Sequence, residues 1–275
     1  MSDGEPLSLL DVLGAQFPAS SKSSLRKLLE SGRVTVNGRP ARIAKQALTP
    51  ADRVVVLPRP RESTPEWPLP VVYVDEDILV IDKPAGLLTS TVPREKRPTA
   101  VAILRDYAAR ALPAARVGLV HRLDREASGL LVFSLSPRAH GALKAQFADR
   151  TAGRSYRAIV RGRPRPDRGT IDASLAEYVD GTVHPSTHNR HAQSAITHYE
   201  LIATTPDRSM LHVRLETGRK HQIRVHLAGM GHPIVGDTLY GGPAADRMML
   251  AAVELTLEHP AGGRRTFSIE PPFTL

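Results

Sequence analysis

Two polar runs interrupt apolar stretches of this chain, and they hold most of the side chains that could do chemistry. The first is His-Arg-Leu-Asp-Arg-Glu at residues 121–126, shortly before the apolar residues 129–133. Charge placed beside a buried strand is costly unless it is paired. Asp124 and its arginine neighbours therefore either form a salt-bridged loop at a sheet edge or line a cleft. In a cleft, an ionised carboxylate can act as a nucleophile or a base.

The second polar run follows a strand-like stretch, residues 211–215, that ends at Thr217 and Gly218. A short helix is predicted next, with polar side chains at its start: Arg219, Lys220, Gln222 and Arg224. Positive side chains at a helix N-terminus oppose the helix dipole. They are easier to understand if a phosphate or carboxylate binds there, so the pattern predicts an anion site.

Other reaction chemistries lack their signatures. The chain has no cysteine, which excludes disulfides, thiolate zinc sites, iron–sulfur clusters and cysteine nucleophiles. It has no GKS/GKT or GxGxxG phosphate loop and no GxSxG elbow, so NTP hydrolysis, dinucleotide chemistry and serine hydrolysis are not predicted. Three loop histidines could converge on a metal, but no thiol partner is available to them: His184, His188 and His191. We expect no metal.

The composition indicates a globular protein with a basic surface. The 275 residues include 37 Lys+Arg against 28 Asp+Glu, a formal net charge of +9. Excess positive charge attracts polyanions, so nucleic acid is the expected partner, although a genomic base-composition bias also enriches arginine. No apolar run approaches the ~20 residues of a membrane-spanning helix, and residues 1–11 lack the basic start of a secretion signal. We expect a cytoplasmic protein with no membrane partner.

The N-terminal part predicts a small α/β unit. Its expected elements are two helices, a hairpin and a closing strand, at residues 8–17, 20–30, 33–39 and 52–57. The hairpin is predicted from Asn37-Gly38, the strongest short-range turn signal. Four cations are expected to form a basic face, although a solvated helix face explains them equally well: Lys22, Arg26, Lys27 and Arg33.

Prolines divide the chain. The proline-rich residues 61–70 predict a linker between a domain at residues 1–60 and a larger domain at residues 71–275. In the larger domain strand-like runs outnumber helical patterns and do not alternate strictly with them. This favours an α+β fold with a mixed, mostly antiparallel sheet. Residues 178–194 are polar and aperiodic and predict a long exposed loop.

Several motifs, in order and at matching spacing, resemble the RluA-type pseudouridine synthases. They are Ile81-Asp82-Lys83-Pro84-Ala85-Gly86-Leu87, the His-Arg-Leu-Asp run with Ser128-Gly129-Leu130-Leu131, Arg154-Ser155-Tyr156-Arg157-Ala158, Ala195-Ile196-Thr197-His198-Tyr199, and Thr217-Gly218-Arg219-Lys220-His221-Gln222-Ile223-Arg224. The resemblance spans residue 71 to the C-terminus, and the first 60 residues resemble the small RNA-binding module of ribosomal protein S4. Ala127 and Ala251 depart from the family pattern, where Thr and His are frequent, but neither touches the expected chemistry.

The resemblance implies a pseudouridine synthase core with a central cleft, preceded by a small α/β RNA-binding domain. It implies that Asp124 is the catalytic carboxylate, Tyr156 the active-site aromatic and Arg224 the cation that pairs with Asp124. An arginine within ~4–6 Å favours the ionised form of an aspartate, which both possible roles require. Five further residues are expected to contact the substrate: Arg122, Ile223, Lys83, Arg219 and Lys220.

The implied reaction isomerises uridine in RNA to pseudouridine. The glycosidic bond to nitrogen breaks, the uracil rotates while held, and carbon five joins the sugar, so no cofactor or metal is required. Asp124 either attacks the anomeric carbon or removes a sugar proton. The resemblance favours large-subunit ribosomal RNA as the target, with transfer RNA as the alternative, and we expect a monomer.

Two other functions remain open at this point. A non-catalytic RNA-binding or ribosome assembly protein would have the same basic surface, but it has no reason to bring Asp124, Tyr156 and Arg224 into one cleft. An acid–base glycosidase would need two carboxylates facing the substrate, for which Glu126 and Glu216 are available.

Overall fold

The computed structural model describes residues 7–18, 20–30, 32, 34–56, 66–91 and 96–275. The chain forms two compact units, Met1–Glu66 and Trp67–Leu275. Residues 61–65 of the predicted linker lie outside the described residues, so the linker stays a prediction.

The N-terminal unit combines two helices with a three-stranded sheet. Its elements are α1 (Leu9–Gln16), α2 (Lys22–Glu30), β1 (Val34–Val36), β2 (Arg39–Pro40) and β3 (Val54–Val56). At the turn between β1 and β2, Asn37 and Gly38 have φ angles of 50° and 81°, as the predicted type I′ hairpin requires. The core joins apolar residues of both helices to β1: Leu9, Leu13, Leu25, Leu29, Val34 and Val36.

The larger unit is built on a ten-stranded sheet. The strands of this unit are β4 (Val71–Val74), β5 (Ile78–Lys83), β6 (Gly118–Leu119), β7 (Ser128–Ser134), β8 (Gly153–Arg161), β9 (Arg168–Asp172), β10 (Leu175–Glu177), β11 (Val183–Pro185), β12 (Ile196–Thr204), β13 (Arg208–Leu215), β14 (Leu250–Glu258) and β15 (Arg264–Ser268). The sheet order is β4-β5-β7-β14-β8-β13-β12-β9, with β6 on β7 and β15 on β14, while β10 and β11 form a separate hairpin. Among the described strands only β7 and β14 pair in parallel, which confirms the mixed, mostly antiparallel α+β fold.

Helices cover both faces of the sheet around β7. They are α3 (Ala100–Ala111), α4 (Pro137–Ala148) and α5 (Gln222–Gly229), followed by a 3-10 turn (Thr238–Tyr240). Leu131 of β7 lies in one core cluster with Leu104 of α3, and its neighbour Leu130 lies in another with Leu143 of α4. Because both faces of β7 are buried, its sequence is a continuous apolar run and does not alternate.

Three features differ from the expectations. Residues 183–185 were predicted to belong to a long loop, but they form β11 and pair with β10, so that prediction was wrong there. Edge strand β9 escaped prediction because no residue in it is buried. Helix α5 begins at Gln222 after His221, whose φ of 53° is left-handed, so Arg219 and Lys220 precede the helix. No helix in the described part of the chain is long and apolar enough to span a membrane.

Candidate active site

A cavity of about 310 Å³ lies in the larger unit, and the loop between β6 and β7 forms part of its wall. Asp124 from this loop, Tyr156 from β8 and Ile223 from α5 all line the cavity. Arg224 reaches the same carboxylate, with Nη1 3.6 Å from Oδ2 of Asp124. The loop therefore lines a cleft, and the three residues that were expected to act together meet at it.

Asp124 is held between two anchored backbone positions. On one side, the Thr89 hydroxyl donates to the Leu123 carbonyl (2.7 Å) and accepts from the Leu123 N–H (3.2 Å). On the other side, the Arg125 carbonyl accepts a hydrogen bond from Nζ of Lys83 (3.2 Å). Thr89 and Lys83 are both buried, so these anchors hold the loop that carries the carboxylate against the sheet.

Lys83 was expected to contact RNA phosphate, and this prediction is wrong because the side chain is completely buried. Its Nζ donates to three backbone carbonyls, those of Pro84 (2.9 Å), Leu87 (2.8 Å) and Arg125 (3.2 Å). Burial lowers the pKa of Lys83 to about 8, although nearby carboxylates, Asp124 first, act to raise it. Lys83 therefore positions the loop that carries Asp124.

Arg224 is the centre of a buried charge network. Its Nε and Nη2 both donate to the carboxylate of Asp237 at 2.8 Å, and its Nη1 faces Asp124 at 3.6 Å and Glu126 at 3.4 Å. Burial acts to lower the pKa of Arg224, but Asp237, Asp124 and Glu126 together raise it. The bidentate partner of Arg224 is thus Asp237, and its pairing with Asp124 is a longer ion pair without hydrogen-bond geometry.

Tyr156 provides an aromatic wall of the cavity. The side chain is only 5% exposed, and it packs in the main core cluster. Burial raises the pKa of Tyr156, with a smaller opposing effect from Arg154, so the phenol is neutral near pH 7. Ile223 and Leu250 add apolar surface to the same cavity. A planar base could therefore lie against Tyr156 beside the carboxylate of Asp124.

The other expected substrate contacts also line the cavity. Arg122 is exposed there. Arg219 donates from Nε to a backbone carbonyl at 3.1 Å, and Nζ of Lys220 donates to the carboxylate of Glu177 and to the carbonyl of Gly181. Arg219 and Lys220 precede α5 and have protein acceptors. They therefore do not need a bound anion to offset the dipole of this helix.

The cations expected in the N-terminal module lie in the other unit. Lys22, Arg26 and Lys27 are exposed on α2, while Arg33 lies outside the described residues. Their contact with RNA stays a prediction.

Sequence reasoning missed several residues at the cavity. Arg154 lines it two positions before Tyr156, and the period of two in β8 was a signal that both face the same side. Neutral His121 also lines it: Nε2 accepts from the Val132 N–H (3.1 Å), and burial, together with Arg154, lowers the pKa of His121 to about 3. Asp237 stands in the segment Pro233-Ile234-Val235-Gly236-Asp237, which also resembles the family, but nothing local indicated that it pairs with Arg224.

The carboxylate geometry disfavours an acid–base glycosidase. Burial acts to raise the pKa of Glu126, but its own backbone N–H, Arg125 and Arg224 lower it, so this group is not a general acid. Glu216 is not part of the cavity lining and contacts His198 at 2.6 Å. Among the described residues, no group of three or more His, Cys, Asp or Glu side chains could hold a metal ion.

The chain matches two protein families. Residues 77–229 match the family described as RNA pseudouridylate synthase, and residues 8–54 match the S4 domain. The first match includes the cavity loop, Tyr156 and α5. The second covers α1, α2, β1 and β2 of the N-terminal unit and reaches the first residue of β3.

Similar proteins span almost the whole chain. An uncharacterized RNA pseudouridine synthase of Mycobacterium bovis is 36% identical over 94% of this chain and 88% of its own length. Ribosomal large subunit pseudouridine synthase D of Zymomonas mobilis is 36% identical over 92% of this chain and 86% of its own length. The solved structure of human RNA pseudouridylate synthase domain containing 4 matches with a TM-score of 0.63 at 25% identity, over 74% of this chain and 88% of that chain.

Proposed function

Because the chain belongs to the RNA pseudouridylate synthase family, we propose that it modifies large-subunit ribosomal RNA and that Asp124 is its catalytic carboxylate. Membership in this family makes the chain an isomerase that converts uridine in RNA to pseudouridine. The observation that carries the catalytic assignment is the shared cavity, where anchored Asp124 lies beside Tyr156 and 3.6 Å from Arg224.

The reaction breaks the bond between N1 of uracil and C1′ of the sugar, and it forms a bond from C5 to C1′. The C5 proton leaves and N1 gains a proton, so no atom is lost overall. Asp124 acts either as the nucleophile at C1′ or as the base for a sugar proton. Both roles use the carboxylate of Asp124, which lies 3.6 Å from Nη1 of the buried Arg224 guanidinium.

Tyr156 holds the detached uracil while it rotates. The buried ring offers a flat apolar surface for stacking, and its neutral phenol can take part in proton transfer at the base. Ile223 forms an apolar wall of the same cavity, which excludes water from the reacting atoms.

The target uridine must leave its stack to enter the cavity, at a cost of a few kcal/mol. We propose that Arg122, which is exposed on the cavity lining, fills the gap in the RNA or binds its backbone. Arg219 and Lys220 contribute positive charge to the same surface.

Three observations support RNA as the substrate, and the first of them favours ribosomal RNA. Relatives from Zymomonas mobilis, Pseudomonas aeruginosa and Escherichia coli that are 32–36% identical are named ribosomal large subunit pseudouridine synthase D. The chain carries an S4 domain with exposed cations on α2. Its net charge of +9 favours binding to a polyanion. We propose that it acts as a monomer and needs no cofactor.

Tritium release from RNA labelled at C5 of uridine tests both parts of the proposal. Ribosomal RNA, assembled large subunits and transfer RNA are the substrates, and wild type is compared with Asp124→Asn. Asp149→Asn is the matched control, because Asp149 is exposed at the end of α4 and is not part of the cavity lining. We expect release from ribosomal RNA with wild type and Asp149→Asn, and none with Asp124→Asn, whose RNA affinity stays within a few fold.

Each other outcome contradicts a defined part of the proposal. Tritium release by Asp124→Asn would show that Asp124 is not the catalytic carboxylate. Release from transfer RNA alone would overturn the ribosomal target. Tight binding without release from any of the three substrates would favour the non-catalytic RNA-binding function.

A further inference from the structure

The cavity that holds Asp124 is strongly cationic. Among the described residues that line it, five side chains are positively charged and only Asp124 is negatively charged. The five cations are Arg122, Arg150, Arg154, Arg219 and Lys220. Two of them, Arg219 and Lys220, have protein acceptors. Such an excess around one carboxylate calls for an anion that the protein itself does not supply.

Arg154 differs from Arg219 and Lys220 because its Nε has no protein acceptor. Its guanidinium carbon lies 5.7 Å from the ring centre of Phe147, and its Nε is buried without a hydrogen-bond acceptor. In the part of the chain that the structure describes, no carboxylate forms an ion pair with it. A buried donor without a protein acceptor is rare, so the Nε of this half-buried arginine is free to donate to a bound anion.

Gly218, which also lines the cavity, leaves room for this guanidinium. A Cβ atom added to Gly218 would lie 2.5 Å from Nη1 of Arg154, closer than any real contact allows. Gly218 follows the end of β13, and its φ is not in the left-handed region, so alanine is acceptable to the backbone there. A side chain at this position would therefore make the guanidinium of Arg154, the end of a flexible side chain, move from its place.

Arg150 occupies a backbone position that disfavours arginine. It follows Asp149, the C-cap of α4, and has a φ of 62°, where glycine is the usual residue. Its side chain is exposed and lines the same cavity as Arg154. Arginine at this position has a strained backbone, but it brings a charged, planar guanidinium to the cavity.

We propose that Arg150 and Arg154 bind the phosphodiester backbone of the nucleotide that enters the cavity. This inference rests on the proposed function and adds the contacts that hold the substrate. The planar guanidinium matches the geometry of phosphate oxygens, and phosphate contacts set the register of a nucleic acid on a protein. In this position they place the sugar next to Asp124 and leave the base for Tyr156.

Salt-dependent RNA binding tests the inference, because only a phosphate contact changes the number of released counterions. The variants are Arg150→Gly and Arg154→Gln, with Arg264→Gln as the charge-matched control on exposed β15 outside the cavity. Each of the first two should weaken binding about tenfold. Each should make the slope of log Kd against log salt shallower by about 0.7–1. Arg150→Gly should melt no lower than wild type, because glycine relieves the left-handed φ.

A double-mutant cycle separates Arg154 from its surroundings. Gly218→Ala should weaken binding because its Cβ displaces the guanidinium of Arg154. In the Arg154→Gln background the same substitution should have little further effect. Additive losses would show that Gly218 and Arg154 act separately, and they would overturn this part of the inference.

An unchanged salt slope in both arginine variants, or an equal change in Arg264→Gln, would overturn the proposal. Binding is measured with the ribosomal RNA fragment that supports turnover, and with a short oligouridine as a second probe. If no RNA is modified, the proposed function fails, while the oligouridine measurement still decides the role of the arginines.

Discussion

Replacing Lys83 by methionine should both destabilise the larger unit and slow catalysis. Methionine fills a similar volume but cannot donate to the carbonyls of Pro84, Leu87 and Arg125. Hydrogen bonds to a charged group contribute about 1.5–3 kcal/mol each, which outweighs the relief from no longer burying a charge. We expect a loss of about 3 kcal/mol in the free energy of unfolding at neutral pH.

The pH dependence of this loss follows from the lowered pKa of Lys83. The folded-state pKa is about 8 against 10.5 for an unperturbed lysine, and burial is the main cause. Below pH 8 both states hold the proton, so Lys83 adds no pH dependence there. Between pH 8 and 10.5 the unfolded chain holds a proton that the folded chain has released, so the stability of wild type rises relative to Lys83→Met. The full rise is about 3 kcal/mol.

Urea denaturation followed by tryptophan fluorescence measures this difference. Trp67 is the single tryptophan, is 7% exposed and packs against Tyr107 in the larger unit, so it reports on that unit. Lys144→Met, which replaces an exposed lysine of α4, controls for the loss of a surface charge. Turnover by Lys83→Met should fall about tenfold, because the Arg125 carbonyl next to Asp124 loses an anchor.

A constant gap between wild type and Lys83→Met across this pH range would refute the reasoning. A gap that narrows as the pH rises would refute it equally. In either case Lys83 would not be a buried cation, and its contacts would not explain the position of Asp124.

Three further predictions concern the framework and the N-terminal unit. Asp237→Asn should lower the free energy of unfolding, measured in urea, by about 3 kcal/mol and should reduce kcat, because it leaves buried Arg224 without its bidentate partner. An unchanged free energy of unfolding and an unchanged kcat would contradict the buried network. Gly129→Ala should lower the free energy of unfolding by about 3 kcal/mol or more in the same assay, since φ is 110° and a Cβ would lie 2.2 Å from the Ala252 carbonyl oxygen. If the variant were as stable as wild type, β7 and β14 would not lie so close together. Deleting residues 1–60 should weaken RNA binding on the order of tenfold while kcat is retained; identical binding would give this unit another role.

Local structure was the part of this protein most open to sequence reasoning. The Asn37-Gly38 turn, the helices of the N-terminal unit and the apolar strand β7 follow from turn chemistry and side-chain periodicity, which act over a few residues. The α+β class follows from the order of those elements. Edge strand β9 escaped because an exposed strand carries little apolar alternation.

In the candidate site, too, local motifs could be recognised from the sequence, but tertiary contacts could not. Asp124, Tyr156 and Arg224 were found because each stands in a recognisable motif, and the cavity brings them together. The surroundings of Lys83 were misjudged, since nothing local distinguishes a buried lysine from an exposed one. Its acceptors include the Arg125 carbonyl, which lies far along the chain.

Motifs and local periodicity thus reveal which residues belong to the chemistry and which segments become helices or strands, because those signals depend on near neighbours. The sequence does not reveal which groups pair with the charged side chains. Arg224 binds Asp237 and not Asp124 most closely, and Arg154 is left without a carboxylate, because packing of distant segments sets every distance in the cavity. A buried charge takes its energy from those distances, so its role is defined only when the chain has folded.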